Sequence, residues 1–344
     1  MLKMTNASSA NIENVNEEKN QDMAISARNI NVVYSTPTGQ IPAVRNVDID
    51  LPKGSITGII GESGSGKSTL IMAIMNAVTK PGKIESGSVI LDGKKDMLKL
   101  STEQQRKIRG KKIGFVFQAA QNSLNPLRRV GQQILDLGRS HDVKDLRALI
   151  KYAKELLMRL GLDADRVLAS YQHELSGGMR QRVGIMFALV LNADIVFLDE
   201  STTALDMLSQ ASVLEIIREL QKEKKLTIAL VSHDIGVIAD LSERIEIFYA
   251  GEIVEEGKTG DVLANPQHPY TRGLIRAIPK ISGDIDAAEP LKGASPDYKT
   301  YQQPGCLFYD RCPIRTDECL KKRPDLTHIG KSQKVACFRV GVHD

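Results

Sequence analysis

Between Ala27 and Tyr249 the chain alternates short apolar runs with stretches of helical periodicity. The segments SITGIIG (Ser55–Gly61), KIGFVFQ (Lys112–Gln118), DIVFLDE (Asp194–Glu200), LTIALVSH (Leu226–His233) and RIEIFYAG (Arg244–Gly251) read as strands. Several are apolar enough to be buried on both faces, as parallel strands are. Leu146, Leu149, Ile150, Ala153, Leu157 and Leu160 recur at helical spacing, and Gly161 stands where a C-terminal cap falls. Val213, Ile216, Ile217 and Leu220 mark a second helix in the same way. Strands that alternate with helices predict an α/β fold built on a largely parallel sheet.

Three changes of texture divide the chain. From Gln118 to Leu175 helical periodicity replaces the strand signal, which predicts an α-helical subdomain at about 119–175 inserted into the α/β core. After Gly257 the sequence turns to Pro, Gly and short amphipathic pieces, so residues 258–344 read as a C-terminal extension to a main domain at 27–257. Residues 1–26 form a polar segment with no continuous apolar core and no basic-then-apolar order, so they read as a disordered tail and not as a secretory signal. The most apolar run, Val183 to Asp199, is broken by Asn192 and Asp194, whereas a membrane-crossing helix needs about 20 predominantly apolar residues. The chain is therefore expected in the cytosol unless a partner brings it to a membrane.

Composition adds limits. With 42% hydrophobic and 26% charged residues over 344 positions, the chain can bury a large core and carry an appended piece. A net charge of +4, no Trp and only 4% aromatic residues give no case for a nucleic-acid surface.

The densest chemical signal is GESGSGKST, from Gly61 to Thr69, between a predicted strand and a helix opening at Lys67. It satisfies G-x-x-x-x-G-K-[ST] in the context that this motif requires. Gly61, Gly64 and Gly66 let the loop's N–H groups, with Glu62, Ser63, Ser65 and Thr69, close around phosphate oxygens, and the helix N-terminus adds its positive end. Lys67 would reach the β- and γ-phosphates, and the Ser68 hydroxyl would hold Mg²⁺. A second signal is IVFLDE, an apolar strand ending in two carboxylates. Asp199 suits the metal side, directly or through water, and Glu200 suits polarisation of an attacking water.

Between these signals lies LSGGMRQR (Leu175–Arg182), 23 residues before Asp199 when counted from Ser176. It resembles the signature motif of the ATP-binding cassette family. That resemblance implies a P-loop cassette ATPase core with a mixed, largely parallel sheet, the inserted helical subdomain and an N-terminal antiparallel β part. It also implies two nucleotide-binding domains paired head to tail, so that Ser176, Gly177 and Gly178 close on ATP held by the other subunit. Gln118 resembles the glutamine that links Mg²⁺ and the attacking water to the helical subdomain. Ala204–Asp206 resembles the loop that communicates across the dimer, His233 the switch histidine that contacts the γ-phosphate, and Tyr34 the aromatic that stacks on adenine.

Three further stretches, QNSLNPLRRVGQQI (Gln121–Ile134), NPQHPYTRGLIRAIP (Asn265–Pro279) and the terminal cysteines, together resemble the ATPase subunits of oligopeptide and dipeptide permeases. The resemblance runs from about Ala27 to the C-terminus. Two departures stand out: Ser201 and Gln172 occupy positions where that pattern commonly has proline. Neither removes a catalytic group.

All four cysteines lie in this tail, spaced Cys306-x5-Cys312-x6-Cys319-x17-Cys337. A cytosolic setting disfavours structural disulfides, and no close C-x2–4-C pair of an ordinary zinc site is present. Wide spacing suits a cluster that takes each sulfur at a different corner; zinc and free thiols stay as alternatives. The resemblance implies a [4Fe–4S] cluster on Cys306, Cys312, Cys319 and Cys337, like those in the tails of some dipeptide-permease ATPases, with a stapling role.

Taken together, the resemblance implies an ATP- and Mg²⁺-dependent ATPase on the cytoplasmic face of a membrane. Its partners would be a second, related cassette ATPase, two transmembrane permease subunits and an extracytoplasmic solute-binding protein. Peptides are the expected cargo, with nickel complexes or oligosaccharides as alternatives. A soluble cassette ATPase outside transport is the alternative class.

Overall fold

The computed structural model describes residues 22–37, 39–117, 124–200, 206–277, 291–296, 303–330 and 332–342. Gln118, Ser201, Ala204 and residues 1–21 of the expected tail lie outside the described residues. Met23–Ser26, expected in that tail, instead open the first strand, with Ala24, Ile25 and Ser26 buried in the sheet. The strands are β1 (Met23–Thr36), β2 (Gly39–Pro52), β3 (Ile56–Ile60), β4 (Gly82–Leu91), β5 (Lys95–Asp96), β6 (Ile113–Val116), β7 (Ile195–Asp199), β8 (Thr227–Ser232), β9 (Arg244–Tyr249), β10 (Glu252–Lys258), β11 (Thr327–Ile329) and β12 (Gln333–Val335). The helices are α1 (Lys67–Ile74), α2 (Thr102–Ile108), α3 (Val130–Ser140), α4 (Leu146–Arg159), α5 (Ala164–Ala169), α6 (Gly177–Leu189), α7 (Met207–Lys224), α8 (Ile235–Leu241), α9 (Thr259–Ala264), α10 (Pro269–Arg276) and α11 (Asp317–Lys321). No helix among the described residues is long and apolar enough to cross a membrane.

By contact the chain divides into two compact units, one holding residues 1–26, 50–55 and 89–229, the other residues 27–49, 56–88 and 230–344. In the first unit, β6 and β7 pair in parallel, with Ile113 beside Ile195 and Val116 beside Leu198. Every residue of β7 is buried, as a strand covered on both faces requires. Gly114 of β6 lies so close to α6 that a Cβ there would stand 2.1 Å from the carbonyl oxygen of Ala188. The expected helical stretch contains α3, α4 and α5. Asp145 starts α4 by accepting the N–H groups of Arg147 and Ala148, both at 2.9 Å. Leu149, Ala153, Leu156 and Leu157 form its buried stripe, and the chain leaves the helix through Gly161 at φ 70°.

In the second unit the strands run in the order β11-β12-β10-β9-β3. β3 and β9 are parallel, with Thr57 beside Arg244 and Ile60 beside Ile247. The remaining pairs are antiparallel, and a bulge between Ile253 and Glu255 interrupts β9–β10. The C-terminal extension thus continues the sheet: Glu255 of β10 stands opposite Val335 of β12. The same unit carries most of the N-terminal antiparallel sheet, in which β1 lies between β2 and β4. The fold is a mixed α/β cassette, as expected. Periodicity reading missed β1, β2, β4, β5 and β10, and the short β11 and β12 in a stretch read as loop-rich.

The contact at Gly114 yields a test of the first unit's packing. Gly114→Ala must separate β6 from α6 or distort one of them, at a cost of about 1–3 kcal/mol. Guanidinium unfolding of the full chain, monitored by circular dichroism, checks this, and an unchanged midpoint contradicts it.

Candidate nucleotide-binding site

The loop of the second unit is shaped by two close approaches. A Cβ on Gly61 would stand 2.1 Å from the Phe248 carbonyl oxygen, and one on Gly66 would stand 2.3 Å from the Ala43 carbonyl oxygen. Gly66 also has φ 107° as the N-cap of α1, a conformation that favours glycine. The Ser65 N–H donates to the Glu62 carbonyl at 3.2 Å, and the Gly251 N–H donates to the Ser65 carbonyl at 2.7 Å. Lys67 is buried, and its Nζ donates to the loop's own carbonyls at Gly61 (2.8 Å) and Glu62 (2.9 Å). The Ser65 hydroxyl is buried without a hydrogen-bond partner among the described residues. A buried ammonium, an orphaned hydroxyl and a helix N-terminus in one turn fit a polyphosphate.

Every polar group of Glu62 is engaged. Its carbonyl accepts from Lys67, and its N–H donates to the Tyr270 hydroxyl at 2.9 Å. Its carboxylate takes both arms of Arg311, each at 2.8 Å, and the Ser295 hydroxyl at 2.7 Å. The Arg311 fork holds the Glu62 carboxyl below its ordinary range, against the opposing effect of partial burial.

Tyr270 reaches the loop through a chain of bonds that begins on β10. Fully buried Glu255 accepts the N–H groups of Gln267 (2.7 Å) and His268 (3.0 Å), which fixes the turn before α10. His268 caps α10 by accepting the Tyr270 N–H on Nδ1 at 3.1 Å, and Pro269 occupies the first turn. Tyr270, Tyr249, Phe308 and His268 form an aromatic cluster with ring centroids 4.5 to 5.7 Å apart.

The other predicted residues fall in both units. In the second unit, half-buried Tyr34 lies against Gly82, where a Cβ would stand 2.8 Å from the ring's Cε1. Ser68 and Thr69 sit in the first turn of α1, Ser63 and Gly64 on the exposed crest of the loop, and His233 is exposed just after β8. In the first unit, Asp199 is buried at the end of β7, and Glu200 follows with φ 45°, a left-handed backbone uncommon outside glycine. Ser176 caps α6 by accepting the Met179 N–H at 3.3 Å, with Gly177 and Gly178 in the first turn. Asp206 caps α7 through the Ser209 N–H at 2.9 Å, which lowers its carboxyl below the ordinary value.

The four cysteines form no disulfide. Burial pushes the Cys306 thiol up to about 12, and the neighbouring charges of Cys312, Cys319 and Cys337 act in the same direction. Burial also raises Cys312 and Cys337, again reinforced by the other thiols. The Arg339 N–H points at the Cys337 sulfur at 3.3 Å, and the Thr316 hydroxyl lies 3.3 Å from that of Cys319. Among the described residues, no group of three or more His, Cys, Asp or Glu side chains stands close enough to hold a metal ion.

A strand, a loop whose Gly61 and Gly66 admit no Cβ, and a helix opening on a buried lysine define a P-loop nucleoside triphosphatase. Comparison with known proteins narrows the class. A family profile described as "ABC transporter" matches residues 44–203, and one described as "Oligopeptide/dipeptide transporter, C-terminal region" matches residues 254–319. The chain is 40% identical over 314 residues to the dipeptide transport ATP-binding protein DppD of Caldanaerobacter subterraneus subsp. tengcongensis, covering 91% of this chain and 96% of the relative. It is 37% identical over 316 residues to the oligopeptide transport ATP-binding protein AppD of Bacillus subtilis, with the same coverage of 91% and 96%. Among solved structures it resembles the dimeric post-hydrolysis state of the ATP-binding cassette MJ0796 bound to ADP and Pi, with TM-score 0.62, 31% identity, and coverage of 68% of this chain and 98% of that one. The chain belongs to the ATP-binding cassette (ABC) transporter family, in its oligopeptide/dipeptide branch, and is an ATPase of that family.

Sequence reasoning missed Arg311 and the loop-holding role of Tyr270. Tyr270 was visible as part of HPYT, but only as a resemblance. Arg311 lies one residue before Cys312, and nothing in its sequence setting announces a partner 249 positions away.

His268 supplies a test of the bond chain. Burial holds it down to about 3 from an ordinary 6.5, so between those values the unfolded chain binds a proton that the native chain excludes. Stability is therefore lost as pH falls below about 6.5, with up to about 1.4 kcal/mol per pH unit from this group. His268→Asn keeps a capping acceptor and should flatten the wild-type slope in denaturant unfolding at pH 7, 6 and 5; parallel slopes contradict the assignment.

Proposed function

We propose that this chain is the ATP-hydrolysing subunit that energises import of di- and oligopeptides through a membrane ABC transporter. The carrying observation is the joint presence of a phosphate-binding loop and an oligopeptide-type extension hydrogen-bonded to it through Tyr270. In this reading the protein sits peripherally on the cytoplasmic face of the membrane. It pairs with a second, related ATPase and works with two permease subunits and an extracytoplasmic solute-binding protein. Residues 27–257 serve as the nucleotide-binding domain, with the helical insert as its contact to the membrane partners and residues 258–344 as the extension.

The roles follow from the chemistry of each position. ATP is the substrate: Tyr34 stacks on its adenine, and the Gly61–Thr69 loop wraps its phosphates. Lys67 exchanges the carbonyls of Gly61 and Glu62 for phosphate oxygens, a stronger charge-assisted contact. Ser68, Gln118 and Asp199 would hold Mg²⁺, which would offset phosphate charge. Glu200 orients the attacking water and accepts its proton, and His233 stabilises the transferring group. Ser176, Gly177, Gly178 and Asp206 face the nucleotide of the partner ATPase, so ATP binding favours the closed pair and hydrolysis releases it.

The cysteine quartet is proposed to hold a [4Fe–4S] cluster, with Zn²⁺ as the alternative. The spacing of the four cysteines within one short tail motivates this, and a tail with a small apolar core would gain folding energy from such a staple. Anaerobic purification followed by an absorption spectrum and metal analysis distinguishes iron–sulfur, zinc and bare thiols.

Two outcomes test the functional reading. Glu200→Gln should retain ATP binding while turnover falls by at least about 100-fold, within the range for loss of a general base; near-normal hydrolysis removes Glu200 from the mechanism. In proteoliposomes with its permease partners and binding protein, ATP turnover should rise with di- or oligopeptides. A response only to nickel complexes or oligosaccharides reassigns the cargo, and a response only to ribosomes or nucleic acid overturns transport.

A further inference from the structure

We propose that Arg311 is a positioning residue for ATP binding, through which the cysteine-bearing turn of the extension sets the shape of the phosphate loop. The inference rests on the reading of Gly61–Thr69 as the ATP-binding loop and goes beyond it. It assigns a function to a residue 249 positions away in sequence from Glu62.

The geometry is that of a clamp. Arg311 presents both guanidinium arms to the Glu62 carboxylate at 2.8 Å, and its Nε donates to the Lys292 carbonyl at 3.0 Å. Its side chain is only 5% exposed, and Glu62 is 26% exposed, so the pair is shielded from solvent far more than a surface ion pair. The guanidinium also lies 5.7 Å from the Phe308 ring centroid and 5.8 Å from that of Tyr249. Fork geometry, aromatic packing and burial together leave Glu62 one position.

Arg311 is in turn held by the cysteine turn. Its N–H donates to the Phe308 carbonyl at 3.1 Å, the Tyr309 N–H to the Cys306 carbonyl at 3.1 Å, and the Cys312 N–H to the Tyr309 carbonyl at 3.2 Å. The Cys306 N–H donates to the Cys319 carbonyl at 2.7 Å, which ties in a third cysteine. On the loop side, the Glu62 carbonyl accepts from Lys67, the residue that must meet phosphate. Displacing the Glu62 side chain therefore shifts the backbone that sets the lysine and the Ser65 turn. Arg311 does not reach substrate in this account; it acts through Glu62.

The test uses the full chain and four variants: Arg311→Ala, Arg311→Lys, Glu62→Gln and the double variant Arg311→Ala/Glu62→Gln. Titration with a fluorescent ATP analogue gives Kd, and steady-state hydrolysis gives KM and kcat. Arg311→Ala and Glu62→Gln should each weaken ATP binding by about five- to tenfold, with KM rising in step and kcat within about twofold. The double variant should be no weaker than either single one, and Arg311→Lys should recover part of the loss, because it keeps the charge without the fork. An unchanged Kd in Glu62→Gln, which leaves the extension intact, overturns the proposal even if Arg311→Ala fails to fold. Additive losses in the double variant overturn it as well, since they assign Arg311 a role independent of Glu62. Wild-type protein that binds no ATP analogue defeats the ATPase reading and this proposal together, whereas wild-type binding with unaltered variants defeats the proposal alone.

Discussion

The second unit is organised by the near-contact between its phosphate loop and two backbone carbonyls, those of Phe248 and Ala43. Neither Gly61 nor Gly66 has room for a Cβ, so β3, β9 and the β2 strand that carries Ala43 must approach the loop within a single atom's radius. This proximity fixes where α1 begins, and with it the direction of the helix N-terminus and the place of Lys67. A side chain at either glycine would lift the loop away from the strands beneath it. The anion-binding geometry is therefore a packing result before it is a chemical one.

The extension belongs to the same construction. β12 adds to the sheet beside β10, and Glu255 on β10 gathers the N–H groups that start α10. A carboxylate with no exposed surface is costly unless its acceptor sites are filled, and the Gln267 and His268 N–H groups with the Gln333 amide at 2.6 Å fill them. Satisfaction of Glu255 thus specifies the HPYT turn. That turn places the Tyr270 hydroxyl under Glu62. The reason for histidine, proline and tyrosine in succession is local: a cap, a preset φ and a rigid arm with a polar tip.

Much of this was legible from the residues alone. All five strands read from apolar runs exist, because buried parallel strands leave a continuous apolar signature, and α4 ends at the predicted glycine. Leu156 was absent from the predicted stripe and Ile150 is only half-buried, a small rotation of the α4 face set by the neighbours it packs against. The glycine loop was legible because its chemistry is local, nine residues that carry their own context. What escaped was non-local. β11 and β12 are too short for a period to register, and the engagement of Glu62 by Arg311 and Tyr270 joins positions far apart in the chain. Glu62 occupies an x position of the loop motif, where the pattern itself gives side-chain identity no weight.

That x position clarifies how one loop can be both firm and responsive. Lys67 rests on the carbonyls of Gly61 and Glu62, contacts that a phosphate oxygen can replace. The Glu62 N–H and carboxylate point elsewhere, to Tyr270 and Arg311, and do not compete for the incoming ligand. In the proposed reading, arrival of phosphate requires the lysine to change partners while the backbone beneath it keeps its anchors. A loop held only by its own carbonyl-to-lysine bonds would lose those restraints at the moment of binding and would have to order itself at an entropic cost. A loop anchored from outside keeps its N–H groups aligned throughout. Placing the anchors on the extension makes the alignment depend on a part of the chain that lies beyond the cassette core.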